Sequence, residues 1–265
     1  MTDYALTISD AEIRRYQLMA EKAQAVEAQL WESAGIIPGA TVVDVGCGPA
    51  AVSVVLARAV GPSGRIVGVE RDEASLAAAR QVVADSGVSN VELRPGTATD
   101  TGLPSGSADV VMCRNVLAHN GPDEQAIVNH LADLSRVGGV VYLVDVDATA
   151  MRMLDADPEL ADLSDHYLEF HGRHGNDLQT GLRLAKLLAA AGLEVLEHRG
   201  TYNILAAPPG LRPPPWAARE AMLRDGVITA EDVDRWQRAF ERMDDATTRP
   251  TIFAPQFVAY GRKPG

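Results

Sequence analysis

The chain has 265 residues, a net charge of −12 and 46% hydrophobic residues. This length and composition allow one large domain with a sizeable core, and the acidic balance argues against a basic face for nucleic acid or anionic membranes. The start lacks a basic region followed by an apolar run, no apolar stretch reaches about 18 residues, and there are two cysteines, so we predict a cytoplasmic protein without a disulfide framework.

Residues 1–35 are predicted to form a helical lid. Apolar residues recur every three or four positions up to about Ala34, which is typical of a helix that buries one stripe. The stripe comprises Ile13, Tyr16, Ala20, Ala23, Val26 and Leu30. We expect this helix to lie over a sheet formed by the residues that follow.

A strand, a glycine turn and a helix are predicted over Thr41–Ala51, which reads T-V-V-D-V-G-C-G-P-A-A. The apolar strand is interrupted only by Asp44 and runs into Gly46-Cys47-Gly48, after which a helical pattern begins. Glycine lets the backbone approach a ligand and adopt positive φ, and the start of the helix offers free amides. The stretch therefore predicts a ligand-binding turn.

Two cofactor classes fit this turn. Gly46, Gly48 and Ala51 match the dinucleotide pattern G-x-G-x-x-G/A, and Glu70 follows about 20 residues later, where a ribose-binding acid is expected. Asp44 favours the other class, because a carboxylate two residues before the first glycine repels a pyrophosphate and attracts a cation. S-adenosyl-L-methionine (SAM) carries both a sulfonium and an ammonium group.

Two segments resemble motifs of the class I SAM-dependent methyltransferases: D-V-G-C-G-P at 44–49 is similar to motif I, and V-G-V-E-R-D at 67–72 is similar to motif II. The chain looks like the methyltransferases of ubiquinone and menaquinone biosynthesis and those of small natural products. The resemblance implies an α/β, Rossmann-like fold with a seven-stranded, mostly parallel sheet, an antiparallel last strand and helices on both faces. It also implies one methyltransferase domain over 1–265, with a SAM-binding core at 36–147 and helical cap insertions at 148–180 and 208–245.

The same resemblance implies which residues bind SAM. Asp44 is expected at the cationic methionine end, and Glu70 is expected to accept the ribose hydroxyls. In the adenine loop Thr97 stands where the family usually has an acid, so the Thr97 hydroxyl and the Ala98 amide become the expected contacts, or Asp100 if the loop is shifted. The full expected set is Tyr16, Asp44, Gly46, Cys47, Gly48, Glu70, Arg71, Thr97, Ala98, Arg114 and Asn115.

The acceptor site is expected beyond the fourth strand, in the segment from Arg114 to Asn120. His119 is the candidate general base, because a neutral imidazole near pH 7 can take a proton from a hydroxyl; the alternative is a helix-end histidine with a backbone partner. Arg114, near the transferred methyl, is the second catalytic candidate. Asp145 either faces the acceptor or caps the following loop. The expected acceptor contacts are Tyr4, His119, Asn120, Asp145, Tyr167 and His171.

Four potential metal ligands fall in one segment, namely Asp165, His166, His171 and His174. The histidines are five and three residues apart, which places them only partly on one helix face, so we predict no metal.

These features predict a SAM-dependent methyltransferase that methylates an oxygen, in a phenol, a hydroxyl or a carboxylate, of a small-molecule or peptide acceptor. The Ala-, Gly-, Val- and Arg-rich composition hints at a GC-rich genome and favours natural-product biosynthesis. The alternatives are an NAD(P)-dependent oxidoreductase and a SAM-binding protein without methyl transfer. We expect no nucleic-acid or membrane partner and leave a homodimer open.

Overall fold

The computed structural model describes residues 10–247 and 249–265. Tyr4, one of the expected acceptor contacts, lies outside these residues. The helices of the described part are α1 (Asp10–Ser33), α2 (Ala51–Val60), α3 (Glu73–Ser86), α4 (Glu124–Leu134), α5 (Leu163–Arg173), α6 (Leu184–Ala190), α7 (Pro214–Ala217), α8 (Arg219–Arg224) and α9 (Ala230–Asp245).

One eight-stranded sheet runs through the described part of the chain. Its strands are β1 (Thr41–Val45), β2 (Arg65–Glu70), β3 (Val91–Pro95), β4 (Ala108–Arg114), β5 (Ser135–Val146), β6 (Arg152–Leu154), β7 (Glu194–Ala206) and β8 (Thr251–Arg262). The order is β3-β2-β1-β4-β5-β8-β6, and β7 pairs with the other edge of β8. The paired strands among β1 to β5 run parallel, and β8 is antiparallel to β5. The predicted fold is confirmed, with the short β6 as an addition to the seven expected strands.

Alternate residues of the central strands enter two cores on opposite faces of the sheet. Val42 and Ile66 pack with α1 and α2 on one face, whereas Val43 and Val67 pack with α4 and α6 on the other. A parallel sheet that is covered on both faces needs apolar side chains on both, which explains the nearly continuous valine runs.

The strand order reverses at β1. The chain leaves β1 through α2 to reach β2 on one side, and it later returns to β4 on the other side. The carboxyl ends of strands at such a reversal leave a crevice in which α/β proteins bind ligands. Asp44 and Gly46 lie at this point.

A separate apolar cluster joins α5 with α7, α8 and α9, which lie within the expected cap insertions. Met222, Trp236 and Phe240 are its most completely buried large side chains. Thr229 and Asp232 form the capping box that starts α9. Within the described ranges, no helix combines the length and the apolar character needed to span a membrane.

Candidate functional site

A cavity of about 310 Å³ opens at the carboxyl ends of β1, β2 and β4. All of the residues expected to bind the cofactor contribute to its wall, as do His119 and Asn120 from the acceptor set. The structure thus brings together residues from five separate stretches of the sequence. Their individual roles in binding stay predictions.

The turn after β1 brings the backbone into the cavity wall. Gly46 and Gly48 have φ angles of +74° and +53°, in the left-handed region that favours glycine. A Cβ on Gly46 would lie 2.4 Å from Cγ2 of Val116, whereas one on Gly48 would meet no atom within 4 Å. The Gly46 and Cys47 amides both donate to the Val69 carbonyl of β2. Gly46 is therefore required by packing, and Gly48 keeps the cavity open.

Asp44 is a buried carboxyl group at the end of β1, with 2% of its surface exposed. It accepts a 2.6 Å hydrogen bond from the Ser53 hydroxyl of α2. Burial raises the pKa of Asp44 to about 6, and the Ser53 hydrogen bond and the Arg114 guanidinium oppose that rise. A cation in the cavity would favour the ionised form further, so Asp44 suits a positively charged ligand.

Glu70 ends β2 and is oriented by backbone amides. Oε2 accepts from the Gly48 amide at 2.9 Å, and Oε1 accepts from the amides of Arg71 and Asp72 at 2.8 and 2.9 Å. Carboxylate oxygens can accept more than one hydrogen bond each, so this geometry still leaves Glu70 able to accept ribose hydroxyls. The bond to Gly48 also fixes the glycine turn relative to β2.

Thr97 and Ala98 lie on the cavity wall, as the sequence predicted for the adenine loop. The Thr97 hydroxyl accepts from the Asp100 amide at 3.0 Å and lies 3.3 Å from the Thr99 hydroxyl. The Asp100 carboxylate accepts from the Gly102 amide and does not line the cavity. Thr97 and Ala98 therefore remain the expected adenine contacts.

Arg114 has a partner that the sequence analysis missed. Glu27 of α1, 3% exposed, accepts two hydrogen bonds from the Arg114 guanidinium at 2.7 and 2.9 Å. The same carboxylate accepts from the Tyr142 hydroxyl at 2.9 Å and from the Trp31 indole at 3.3 Å. Arg114 thus ties α1 to the sheet, and this pairing gives no support to its predicted catalytic role.

A signal for Glu27 was present in the sequence. Ala20, Ala23, Trp31 and Ala34 occupy the buried stripe of α1 and are each at most 2% exposed. Glu27 falls on the same stripe at the same helical spacing. A charged residue in a buried stripe is rarely left unpaired, so the position called for a buried cation.

Asn115 lies on the cavity wall directly after β4, with φ at +54°. Its side-chain oxygen is buried and, among the described residues, has no hydrogen-bond partner. Buried acceptors are usually paired, so this oxygen is suited to a donor on a ligand. Asn120, one turn further on, instead donates to the Val116 carbonyl at 2.7 Å and lies 3.4 Å from the Arg71 guanidinium.

Three residues expected at the acceptor site meet in one cluster of rings. The His119 ring centroid lies 4.9 Å from that of His171, which lies 4.4 Å from that of Tyr167. His119 lines the cavity, while Tyr167 and His171 lie behind it on α5 and are buried. In the described ranges no three His, Cys, Asp or Glu side chains are placed to share a metal ion.

Asp145 is a structural cap. It is 1% exposed, and it accepts from the Ala118 amide at 3.1 Å and from the Val146 amide at 2.9 Å. Burial raises the pKa of Asp145 to about 7. Its carboxyl group holds the 3₁₀ turn Leu117–His119 against β5 and does not line the cavity. Asp145 therefore acts as a cap within the fold, and its contact with an acceptor stays a prediction.

A family model described as a methyltransferase domain matches residues 36–192, more than half of the chain. The chain belongs to this methyltransferase family. The match confirms the predicted class I SAM-dependent methyltransferase and its cofactor class. It covers β1 to β5, with the glycine turn, Glu70 and the ring cluster.

Curated relatives match part of this methyltransferase. Nocamycin O-methyltransferase of Saccharothrix syringae is 37% identical over 106 residues, which are 40% of this chain and 38% of that protein. Demethylmenaquinone methyltransferase of Listeria monocytogenes is 32% identical over 107 residues, which are 40% of this chain and 45% of that protein. The matched stretch thus spans less than half the length of these relatives.

A solved methyltransferase structure from Bacillus halodurans shares the fold. It superposes with a TM-score of 0.61 at 19% identity and covers 91% of this chain and 100% of that one. At this identity the likeness shows the fold alone.

Proposed function

We propose that this methyltransferase moves a methyl group from SAM to an oxygen atom of a small molecule or peptide. The observation that carries the cofactor part is the buried Asp44 carboxyl group beside the Gly46–Gly48 turn. The pyrophosphate that a dinucleotide would place at this turn is repelled by a carboxylate, whereas the ammonium and sulfonium of SAM are attracted. The family assignment supports the same cofactor over the NAD(P) alternative.

Different residues of the cavity wall would bind different parts of SAM. Asp44 would accept from the ammonium group, Glu70 from the ribose hydroxyls, and Thr97 and Ala98 would contact the adenine. When bound, SAM supplies a methyl group activated by its sulfonium. The chain then has to hold an acceptor oxygen about 3 Å from that methyl, in line with the breaking bond, and to exclude water.

Support for an oxygen acceptor comes from the far end of the cavity. His119 lies on the wall there, so its ring is available to hydrogen-bond an acceptor oxygen. One of the curated relatives is named as an O-methyltransferase, which favours the same acceptor and a role in natural-product biosynthesis. As further parts of the proposal, 1–35 act as a lid, 148–180 and 208–245 form the cap, and the protein works in the cytoplasm, with a homodimer left open.

Calorimetric titration of the native protein and of Asp44→Ala with SAM, S-adenosylhomocysteine and NADPH tests the cofactor. We expect micromolar binding of the first two and a loss in the variant. Release of S-adenosylhomocysteine with oxygen acceptors then tests transfer. NADPH binding without SAM binding would overturn the proposal, and SAM binding without transfer to any acceptor would leave a SAM-binding protein.

A further inference from the structure

β7 is a long edge strand of the sheet, with 13 residues. It pairs with β8 along its whole length, from Glu194 opposite Arg262 to Ala206 opposite Thr251. Within residues 10–247 and 249–265, no second strand pairs with β7, so the backbone amides and carbonyls along its outer side have no strand partner. Such a row of unpaired groups is a template for another strand.

The opposite edge of the sheet is protected, and β7 is not. β3 has five residues, ends at Pro95 and carries Glu92 in ion pairs with two arginines. On β7, Tyr202 and Ile204 are 61% and 66% exposed, and the Tyr202 ring stacks on Phe253 of β8 with the centroids 4.6 Å apart. Short length, charge and proline are the usual protection of an edge strand, so exposed aromatic and aliphatic groups beside an open edge mark an interaction surface.

The side chains of β7 follow the same order on both sides of Gly200. Outwards from Gly200, three residues with hydrogen-bonding side chains come first and two aliphatic residues follow, in both directions. The residues at equal distances are Arg199 and Thr201, His198 and Tyr202, Glu197 and Asn203, Leu196 and Ile204, and Val195 and Leu205. Two copies of β7 that run antiparallel around an axis at Gly200 would therefore match in polarity at each of these positions.

Other registers of two such strands fit less well. An axis at Arg199 would place the two Arg199 guanidinium groups opposite each other, and like charges directly opposite are unfavourable. An axis two residues before Gly200 would pair Glu197 with Arg199. It would leave Ile204 and Leu205 beyond the start of the partner's strand, without an apolar contact there. The axis at Gly200 avoids both faults.

We propose that this chain forms a homodimer in which β7 pairs antiparallel with β7 of a second copy, around a two-fold axis at Gly200. Every contact of such an interface occurs twice, and the two eight-stranded sheets become one continuous sheet. The register of β7 on β8 shifts between Val195 and Glu197, so regular pairing covers residues 197–203 of each copy. Because this interface is small, we expect a dissociation constant on the order of 10 μM. The inference does not depend on methyl transfer, since no residue of β7 lines the cavity described above.

Sedimentation equilibrium of the native protein, from about 1 to about 300 μM, measures the dimer. Thr201→Lys sets a lysine opposite Arg199 of the second copy, twice per dimer, whereas the matched control Thr201→Glu sets an opposite charge there. Thr201 is exposed, so both variants are expected to fold, which thermal unfolding checks. We expect the dissociation constant to rise at least about 10-fold in Thr201→Lys and not to rise in Thr201→Glu.

Two results of this experiment would overturn the inference. The first is a native protein that stays monomeric at every concentration. The second is a dimer with equal dissociation constants in Thr201→Lys and Thr201→Glu, because the second copy would then be bound by another surface.

Disulfide trapping tests the register. Opposite residues of an antiparallel pair have Cα atoms about 4.5 or 5.5 Å apart, within the range of a disulfide. On oxidation, Arg199→Cys/Thr201→Cys should therefore give a covalent dimer, whereas each single variant should not. The native Cys47 and Cys113 are buried, and the unsubstituted protein controls for them. A covalent dimer of either single variant would place the axis elsewhere, and no covalent dimer of the double variant would exclude the pairing, so either result overturns the inference.

Discussion

The two ends of the cavity differ in how their polar groups are partnered. At the cofactor end, Glu70 accepts from three backbone amides and Asp44 from Ser53. At the expected methyl and acceptor end, the Asn115 oxygen is buried without a partner in the described structure. The polar groups at the cofactor end already have hydrogen-bond partners within the protein, while the buried oxygen at the other end would gain a partner only from a ligand. The expected cofactor end is therefore held by hydrogen bonds within the protein, whereas the Asn115 oxygen after β4 has none from the described residues.

The largest expected effect is a loss of stability in a glycine variant of the cofactor end. It distinguishes the packing role of Gly46 from the binding role of Gly48. Gly46→Ala introduces a Cβ at positive φ and 2.4 Å from Val116, whereas Gly48→Ala has the strain but open space. We expect Gly46→Ala to lower the free energy of unfolding by about 4 kcal/mol, the sum of left-handed strain and overpacking. Gly48→Ala should cost only the strain, about 1–2 kcal/mol, yet weaken SAM binding at least about 10-fold.

Thermal unfolding and SAM titration of both glycine variants make the check. Equal losses of stability in the two variants would mean that a Cβ at position 46 adds no overpacking against Val116. Unchanged SAM affinity in Gly48→Ala would show that the open space beside this residue does not hold the cofactor, and the description of a preformed cofactor wall would fail.

The next effect concerns the attachment of α1 to the sheet. Glu27→Gln removes the carboxylate that pairs with the buried Arg114 guanidinium, so we expect the free energy of unfolding to fall by about 3 kcal/mol, within the range for a broken buried ion pair. In the double variant Glu27→Gln/Arg114→Met no charge is left unpaired, and part of the loss should return. Denaturant unfolding of the native protein and of both variants measures these two differences. A double variant less stable than the single one would contradict this account.

The sequence identified the cofactor end more completely than the acceptor end because the cofactor residues follow strands in short motifs. Asp44, the glycine turn and Glu70 each sit at a strand end whose place in the sheet follows from topology. The partner of Glu27 lies 87 residues away in the sequence, which no local pattern reveals. Asp145 was left with two alternatives, because a strand-end position does not say whether a carboxyl group faces the cavity or the neighbouring turn.

The ring cluster was predicted in its members but not in its contacts. His119, Tyr167 and His171 were expected at the acceptor site from their residue types, while the hydrogen bonding of His171 depends on Asn176 and Gly121, which come together only in the fold. Residue type thus indicated which side chains to expect near an acceptor, and only the tertiary contacts show how these side chains pack together.

A third prediction is that Asp44 lowers the stability of the protein without ligand but raises its affinity for SAM. The folded pKa of Asp44, about 6, lies above the ordinary value of 3.8, so the folded state holds the proton more tightly and loses stability as pH rises from about 4 to 6. Asp44→Asn removes this ionisation, and we expect the protein without ligand to gain about 2 kcal/mol at pH 7 and little at pH 4. The affinity for SAM should fall about 100-fold at pH 7, through loss of the carboxylate.

Thermal unfolding at pH 4 and pH 7 measures the change in stability, and calorimetry measures the change in SAM affinity. The native protein should also bind SAM more weakly below about pH 6, because protonated Asp44 cannot attract the ammonium group. If Asp44→Asn is less stable than the native protein at pH 7, Asp44 stabilises the fold. If the variant keeps its SAM affinity, Asp44 does not serve the cofactor.

The smallest expected effect lies in the cap, behind the acceptor end. Thr229→Ala removes the capping box at the start of α9 and should lower the free energy of unfolding by about 1 kcal/mol, while Thr229→Ser keeps the hydroxyl and most of that stability. The cap packs in its own apolar cluster, and neither residue of the capping box lines the cavity, so SAM affinity should be unchanged in both variants. If Thr229→Ala weakened SAM binding, the two ends of the cavity would be energetically coupled through the cap, and the acceptor wall could not be treated as a part completed by its own ligand.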